Sequence, residues 1–282
     1  MNKRIIEQNL FKWLMFISVA IVIGCLVIVI GIVLVNGATA ISIEMITQTS
    51  SGGYFVGRGG GILNAIIGSL FLALPATGLA YLIGLGIALY LQRDFLHPKI
   101  ATLIRSSLDI LWGIPSILYG VFCLMIMILL GIGTSLIAGI IALTLLEIPI
   151  ITRSIDESIK MVPIELKEGS YSLGSTRFET ATKVVRKQAL PGIIAGVLLG
   201  LGRGIGDAAS ILFTAGFSDS IPTSFMDSTA ALPTMIYHLY SSPIPSVRER
   251  AYAAAFILLV IVTSISIISR ALTKRYKKYV IK

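Results

Sequence analysis

The sequence predicts an all-α membrane protein with six transmembrane helices. Of its 282 residues, 55% are apolar and only 13% are charged, whereas soluble domains carry about 25% charged residues. The apolar residues are also gathered into six segments, and each spanning helix needs about 20 of them. The composition therefore excludes an ordinary soluble domain and indicates a single membrane bundle.

A basic leader of residues 1–13 opens the chain, and one transmembrane domain, residues 14–282, follows it. The first apolar segment is longer than the core of about 7 to 15 residues in a cleavable signal, so we expect it to remain as an anchor. Residues 93–107 are interpreted as a short basic connection, and residues 36–61 and 217–250 as polar loops. We place the spans at residues 14–35, 62–91, 108–130, 134–152, 191–216 and 251–271.

Two local signals predict bends inside these spans. Pro75 lies within the second span, where a missing backbone N–H kinks a helix. The stretch 113–120, GIPSILYG, opens the third span and should bend its first turns.

The distribution of basic residues predicts the orientation. Of the 23 Lys and Arg residues, 19 lie in the leader, the segment after the second span, the long connection at 153–190 and the tail. By the positive-inside rule these segments and both termini face the cytoplasm. The net charge of +9 is thus explained by topology and anionic lipid, and we expect no nucleic-acid partner.

The long connection at residues 153–190 has the spacing of two short helices that meet near Gly174. Gly174 fits a helix end, and Thr176 fits the N-cap of the next helix. An amphipathic hairpin on the bilayer is the alternative, but the acidic side chains here would be repelled by anionic lipid, which favours a protein partner. The apolar positions expected to be buried are Ile159, Val162, Leu166, Tyr171, Leu173 and Phe178.

The fifth span combines glycines with polar side chains on one face. On a continuous helix, Gly192, Gly196, Gly200, Arg203, Asp207 and Ser210 fall within roughly 80° of arc. Small residues at this spacing let a second helix approach closely, so we assign the three glycines to helix packing. An arginine in a span costs roughly 2.5 kcal/mol or more unless it faces protein or water. We therefore assign Arg203, Asp207 and Ser210 to a solute path, while a mutually neutralising Arg203–Asp207 pair is the alternative.

Glu147, near the inner end of the fourth span, is a second candidate for a charged site in the membrane. It lies six residues from Arg153, about 9 Å along a helix. Two interpretations stay open: a buried acid, or a side chain that reaches toward the cytoplasm. The sequence contains no metal-ligand cluster, no nucleophile beside a base and no nucleotide-binding GxxxxGK[ST] loop, so we predict neither an enzyme nor a metal site.

Several motifs resemble one family of transport proteins. Glu168-Gly169-Ser170, followed by Gly174, resembles the EAA loop of ABC importer permeases. Five stretches, at residues 59–70, 113–120, 189–207, 212–216 and 231–243, are similar to phosphate permeases of the PstA type. The chain departs from the family at Gly169-Ser170, at Arg186-Lys187 where many relatives have Leu-Pro, and at Asp207 where glutamate is usual.

The resemblance implies a MetI-like permease bundle in a prokaryotic plasma, or inner, membrane. It implies that Arg203 contacts the anion and that Asp207 holds Arg203. It further implies that an ATPase docks on Glu168, Gly169, Ser170, Gly174 and Phe178.

The implied partners are a second, related permease, two copies of a cytoplasmic ATPase and an extracytoplasmic phosphate-binding protein. ATP and Mg would be bound by the ATPase, and this chain would hold no cofactor. Two alternatives stay open. One is a permease for another solute, such as phosphonate, molybdate or an amino acid, and the other is a non-transporting membrane subunit that relays phosphate status.

Overall fold

A computed structural model describes residues 3–50 and 60–276 of the chain. These residues are predominantly helical, and their one β contact is an isolated bridge between Ser50 and Gly60. The helices are α1 (Lys3–Ala40), α2 (Ile43–Thr47), α3 (Leu63–Tyr90), α4 (Pro98–Gly113), α5 (Ser116–Leu129), α6 (Leu136–Lys160), α7 (Ile164–Ser172), α8 (Arg177–Glu179), a π-helical segment (Thr180–Val185), α9 (Arg186–Gln188), α10 (Leu190–Gly206), α11 (Leu232–Leu239) and α12 (Pro245–Tyr276).

Four of the described helices, α1, α3, α6 and α12, are each long and apolar enough to cross a membrane. Two bent pairs raise the number to six if each pair counts as one span. In the first pair α4 and α5 meet at 94°, and in the second the α8–α9 arm meets α10 at 73°. The all-helical fold that the sequence predicted is therefore confirmed, and the predicted six spans are reached when each bent pair is counted as one span.

The core is built around α6. Sixteen of its 25 residues are buried, because α3, α4, α5 and α10 surround it. Its most extensive partner is α3, whose facing residues are mostly small, among them Ala73, Ala76 and Ala80. Small side chains let the two backbones approach closely, which is how helices gain packing energy where water supplies no hydrophobic drive.

The first helix, by contrast, is peripheral. Its apolar residues are largely exposed, and its main partner is α12. The two helices come together near Gly37, where an added Cβ would lie 2.6 Å from Cβ of Phe256. The exposed apolar surface of α1 is that of a helix whose solvent is lipid.

The segment after α10 returns to cap the start of α6. The backbone N–H groups of Ser135, Leu136 and Ile137 donate to carbonyl oxygens of Thr214, Asp227 and Phe225 at 2.8–2.9 Å. These N–H groups have no partner within the helix. The loop is thus part of the bundle, because it satisfies donors that lipid could not.

The predicted boundaries need several corrections. Helix α1 includes most of the leader and extends past residue 35, and α6 continues for two turns past Thr152. The supposed basic connection is mostly helix α4, since His97 caps its first turn and Pro98 occupies its first position. The expected bend at residues 113–120 is a complete break between α4 and α5. Residues 217–250 are also more than a loop, since they contain α11 and the start of α12.

Candidate functional site

The glycines of α10 form a seam against α6. Four of them, spaced four residues apart, each lie so close to an α6 residue that a Cβ would collide with it; at Gly200, for example, the added atom would lie 2.7 Å from Cδ1 of Ile151. The fourth glycine of the seam, Gly204, was not singled out from the sequence, although it continues the four-residue spacing. The contacts are Gly192 with Ser158, Gly196 with Ser154, Gly200 with Ile151, and Gly204 with Glu147.

The predicted continuous face beyond this seam is wrong, because α10 ends at Gly206. Asp207 is extended, with φ −80° and ψ 122°, and its carboxylate accepts hydrogen bonds from the N–H and hydroxyl of Ser210 at 2.8 and 2.5 Å. Such local bonds compete with helix formation. Asp207 and the buried Ser210 therefore lie together in a turn, and neither shares a helical face with Arg203.

Arg203 lies in the last turn of α10 and is exposed. Within the described part of the chain it makes no ion pair with Asp207, so the mutually neutralising pair is absent from this structure. Arg203 instead lines an apolar cleft of about 470 Å³ between α1, α10 and α12. Its guanidinium has no ion-pair partner among the described residues.

Glu147 is fully buried, so the interpretation in which it reaches toward the cytoplasm is wrong. Its carboxyl occupies the space that Gly204 leaves open on α10, and Thr77 of α3 is its polar neighbour. Neither carboxyl oxygen has a hydrogen-bond partner of good geometry among the described residues, and the same holds for the Thr77 hydroxyl.

A second buried acid on α6, Asp156, has the opposite surroundings. Its carboxylate accepts from Arg105 at 2.8 and 3.0 Å, from Arg153 at 3.2 Å and from Lys160 at 3.0 Å. Spacings of three and four residues could have revealed Arg153 and Lys160. Arg105 lies 51 residues away in the chain, so local spacing could not reveal it. The network ties α4 to the end of α6.

The two-helix arrangement predicted for the long connection is present. Helix α7 is followed by Gly174, whose φ of +81° suits glycine. Thr176 then caps α8, and with Glu179 it forms a capping box. Residues 180–185 after it form a π-helical segment, so the second arm is not a regular α-helix.

The residues assigned to partner docking fall into two groups, one that links the two arms and one that is exposed. Ser170 is buried, and its hydroxyl lies 2.8 Å from that of Thr180, which joins the two arms. Glu168, Gly169 and Gly174 are exposed. The short segment between α3 and α4 supports the arms, because Arg177 donates to the carbonyl of Asp94 at 2.9 Å.

Of the six apolar positions predicted to be buried, two are exposed. Ile159 and Val162 are buried and Leu166 and Tyr171 are half-buried. Leu173 is 88% exposed and Phe178 is 69% exposed. These two side chains lie at the turn between the arms, beyond the reach of the bundle. They present apolar surface that nothing in the described chain covers.

No group of three or more His, Cys, Asp or Glu side chains that could hold a metal ion occurs among residues 3–50 and 60–276.

Residues 80–278 match the family described as "Binding-protein-dependent transport system inner membrane component". The chain is 34% identical to the "Phosphate transport system permease protein PstA" of Mycobacterium leprae (strain TN), over 95% of this chain and 89% of that protein. It is 29% identical to the "Probable ABC transporter permease protein YqgI" of Bacillus subtilis (strain 168), over 99% of each.

The fold also matches a solved structure of the methionine ABC transporter MetNI in an inward-facing conformation. The TM-score is 0.62 at 21% identity, and the match covers 76% of this chain and 95% of that one. This similarity concerns the fold alone.

Proposed function

Because the chain belongs to the family of binding-protein-dependent transport system inner membrane components, we propose that it is the permease subunit of an ATP-driven phosphate importer. The observation that carries the proposal is the similarity, at 34% identity and nearly full length, to a phosphate transport permease. The motifs at residues 59–70 and 189–207 support the same solute. The protein moves inorganic phosphate from a binding protein into the cytoplasm.

Arg203 is the proposed anion contact. A guanidinium is always charged and presents a fork of donors that matches the oxygens of phosphate. Arg203 is exposed at the end of a membrane helix, and no residue described in this structure forms an ion pair with it. Since an unpaired charge is costly in lipid, the side chain is suited to an anion, water or a facing protein chain.

Asp207 and Ser210 have a different proposed part from the one first expected. In the described conformation Asp207 holds the turn that follows α10 through Ser210. It therefore fixes where α10 ends, and so where Arg203 lies. A carboxylate close to the path also opposes tight binding of an anion, which favours release.

The exposed surface around Glu168, Gly169, Leu173 and Phe178 is the proposed docking site for the ATPase. It combines a charge with two large apolar side chains that the chain leaves uncovered. Two copies of the ATPase, which bind ATP and Mg, drive the pair formed by this chain and a second, related permease. The extracytoplasmic binding protein docks on the segments after α1 and after α10, and the complex resides in the prokaryotic plasma membrane.

The test is uptake of labelled phosphate at micromolar concentration in cells whose other phosphate carriers have been removed. Cells that lack the chain should take up little phosphate, and restoring the chain should restore uptake. Arg203→Gln should reduce uptake at least about 100-fold, since it removes the proposed hydrogen-bonded pair between the guanidinium and phosphate, and losing one partner of such a desolvated pair costs on the order of 3 kcal/mol. The ATPase should still copurify with the variant.

Arg270→Gln is the matched control, because Arg270 is exposed on α12 near its end. Normal uptake by Arg203→Gln would remove Arg203 from the path. Unchanged uptake on loss of the whole chain would reject phosphate as the solute. Competition by molybdate or a phosphonate would then identify a different oxyanion.

A further inference from the structure

A carboxyl group lies in the centre of the contact between α6 and α10 without a partner to neutralise it. Glu147 is fully buried, and neither of its oxygens has a hydrogen-bond partner in the described residues. Taking an isolated carboxylate out of water costs several kcal/mol after relaxation. Its surroundings therefore suit an uncharged carboxyl and not a carboxylate.

The end of α10 adds two reasons for the same conclusion. Gly204, which faces Glu147, belongs to the last turn of the helix, whose carbonyls lack intrahelical partners and carry the negative end of the helix dipole. Asp207, just beyond, is near enough to repel a second negative charge. Both features oppose a carboxylate at this position.

A protonated carboxyl can also satisfy an acceptor that a carboxylate cannot. A neutral Glu147 can donate its O–H to a carbonyl of the last turn of α10. It can still accept from the buried Thr77 hydroxyl, which has no partner of good geometry. An ionised Glu147 could accept from Thr77 but could donate to no carbonyl.

No basic group on the neighbouring elements offsets this. Helix α3 has no Lys, Arg, Asp or Glu, and Arg105 of α4 is bound to Asp156. The titratable and charged side chains carried by the elements around Glu147 include Tyr81 on α3, Tyr119 on α5, Arg203 on α10, Asp207 after it, and Arg153 on α6 itself. Of the two arginines, Arg203 is exposed and Arg153 is bound to Asp109 and Asp156.

We propose that Glu147 is a positioning residue that stays protonated and, as a neutral carboxyl, holds the last turn of α10 against α6. We call this contact between the Glu147 carboxyl and Gly204 the seat. Arg203 stands in that turn, so the seat sets the position of the proposed anion contact. Loss of the proton at alkaline pH places a negative charge in the seam and drives α10 away from α6. The importance of this for transport rests on the proposed function, whereas the seat itself does not.

The experiment compares Glu147→Gln, Glu147→Leu and wild type in the transporter complex purified through this chain. Glutamine copies a neutral carboxyl in shape and polarity, whereas leucine fills the space without hydrogen bonds. Thermal unfolding and ATP hydrolysis are recorded from about pH 6 to about pH 9, which spans the range where a buried acid can titrate. Glu157→Gln is the control, because this acid lies on the same helix with a side chain that is 55% exposed.

We expect Glu147→Gln to match wild type within about twofold at neutral pH, as an isosteric change does, and to keep its stability at alkaline pH where wild type loses it. Glu147→Leu should be less active than Glu147→Gln and equally insensitive to pH. Glu157→Gln should follow wild type. Failure of Glu147→Gln to fold or work at neutral pH, or a wild-type pH profile identical to that of Glu147→Gln, would overturn the proposal.

These outcomes are separate from those that test phosphate transport. If cells that lack the chain take up phosphate normally, the solute is wrong, yet the unfolding profiles of the two Glu147 variants still decide whether the seat exists. If uptake depends on the chain while the profiles coincide, phosphate transport stands and the proton-holding seat is rejected.

Discussion

Glu147 and Asp156 lie nine residues apart on the same helix, and both are fully buried, yet their surroundings are opposite. Asp156 is held by Arg105, Arg153 and Lys160, whereas Glu147 faces glycine, a hydroxyl and the end of a helix. Burial alone therefore does not decide what an acid does in this bundle. Asp156 is a charged link between helices, whereas Glu147 is a group that packs between them.

The largest loss of stability should follow from neutralising Asp156. Asp156→Asn leaves three cations around a neutral amide, and breaking a buried ion pair typically costs 3–5 kcal/mol. The cation side chains stay 18–37% exposed, so water replaces part of the loss and we expect about 2 to 3 kcal/mol. Thermal unfolding of the purified complex measures it.

Asp109→Asn provides the comparison for this variant, because Asp109 binds Arg153 with a side chain that is 50% exposed. It should cost less than about 1 kcal/mol, as exposed ion pairs do. Equal losses for the two variants would show that the burial of Asp156 is irrelevant to its energetic role.

An intermediate loss of stability is expected from a change in the glycine seam of α10, at a position that faces α6 between Glu147 and Asp156. Gly196→Ala places a Cβ 2.7 Å from Cβ of Ser154, a clash that rotation of the hydroxyl cannot relieve. Overpacking of this kind costs about 1–3 kcal/mol. The matched change Gly202→Ala meets only Cγ2 of Ile265 at 3.9 Å, and it should be neutral or stabilising because alanine favours a helix.

The unfolding temperatures of these two variants show whether the glycines of α10 are closely packed against α6. If Gly196→Ala is as stable as Gly202→Ala, then α10 is not pressed against α6, and the seat proposed for Glu147 loses its support.

The smallest loss of stability should come from Asp227, an acid in the loop between α10 and α11. Asp227 accepts hydrogen bonds from the backbone N–H groups of Thr223 and Ser224 at 2.8 Å, and these bonds lower the pKa of its carboxyl. A lowered folded-state pKa stabilises the loop above the ordinary value, about pH 4, and this stabilisation disappears as the pH falls through the folded-state pKa.

Asp227→Ala should therefore lower the unfolding temperature slightly at neutral pH, and the difference from wild type should narrow toward pH 4 and below. A difference that widens on acidification would show that the hydrogen-bonded carboxylate is not what holds this loop.

Sequence patterns located features whose causes are local. Gly174 and Thr176 were correctly placed at the junction of α7 and α8, because a positive φ and a capping box involve neighbours only. The end of α10 was missed, since residues 207–214 contain good helix formers, and the local bonds between Asp207 and Ser210 are joined by distant contacts that the sequence does not reveal. Gly120 of α5 packs on the Ser210 carbonyl, and the Thr214 carbonyl caps α6.

The candidate site shows the same division. The four-residue spacing of the glycines predicted a close helix contact, but nothing in the spacing identified α6 as the partner. The choice between a buried and a solvated Glu147 stayed open because it depends on Gly204, which lies 57 residues further along the chain. Arg105 and Asp156 could be paired only once α4 and α6 were side by side.

Helix α10 has 17 residues, so it rises about 25 Å, less than the hydrocarbon thickness of about 30 Å. A helix this short cannot place both ends in headgroups, and such a mismatch is accommodated by local thinning of the bilayer or by flanking side chains that reach toward the headgroups. The depth of Arg203 below the headgroups is thus set jointly by the protein and by acyl-chain length. The lipid chosen for reconstitution therefore helps to set the depth of the proposed anion contact.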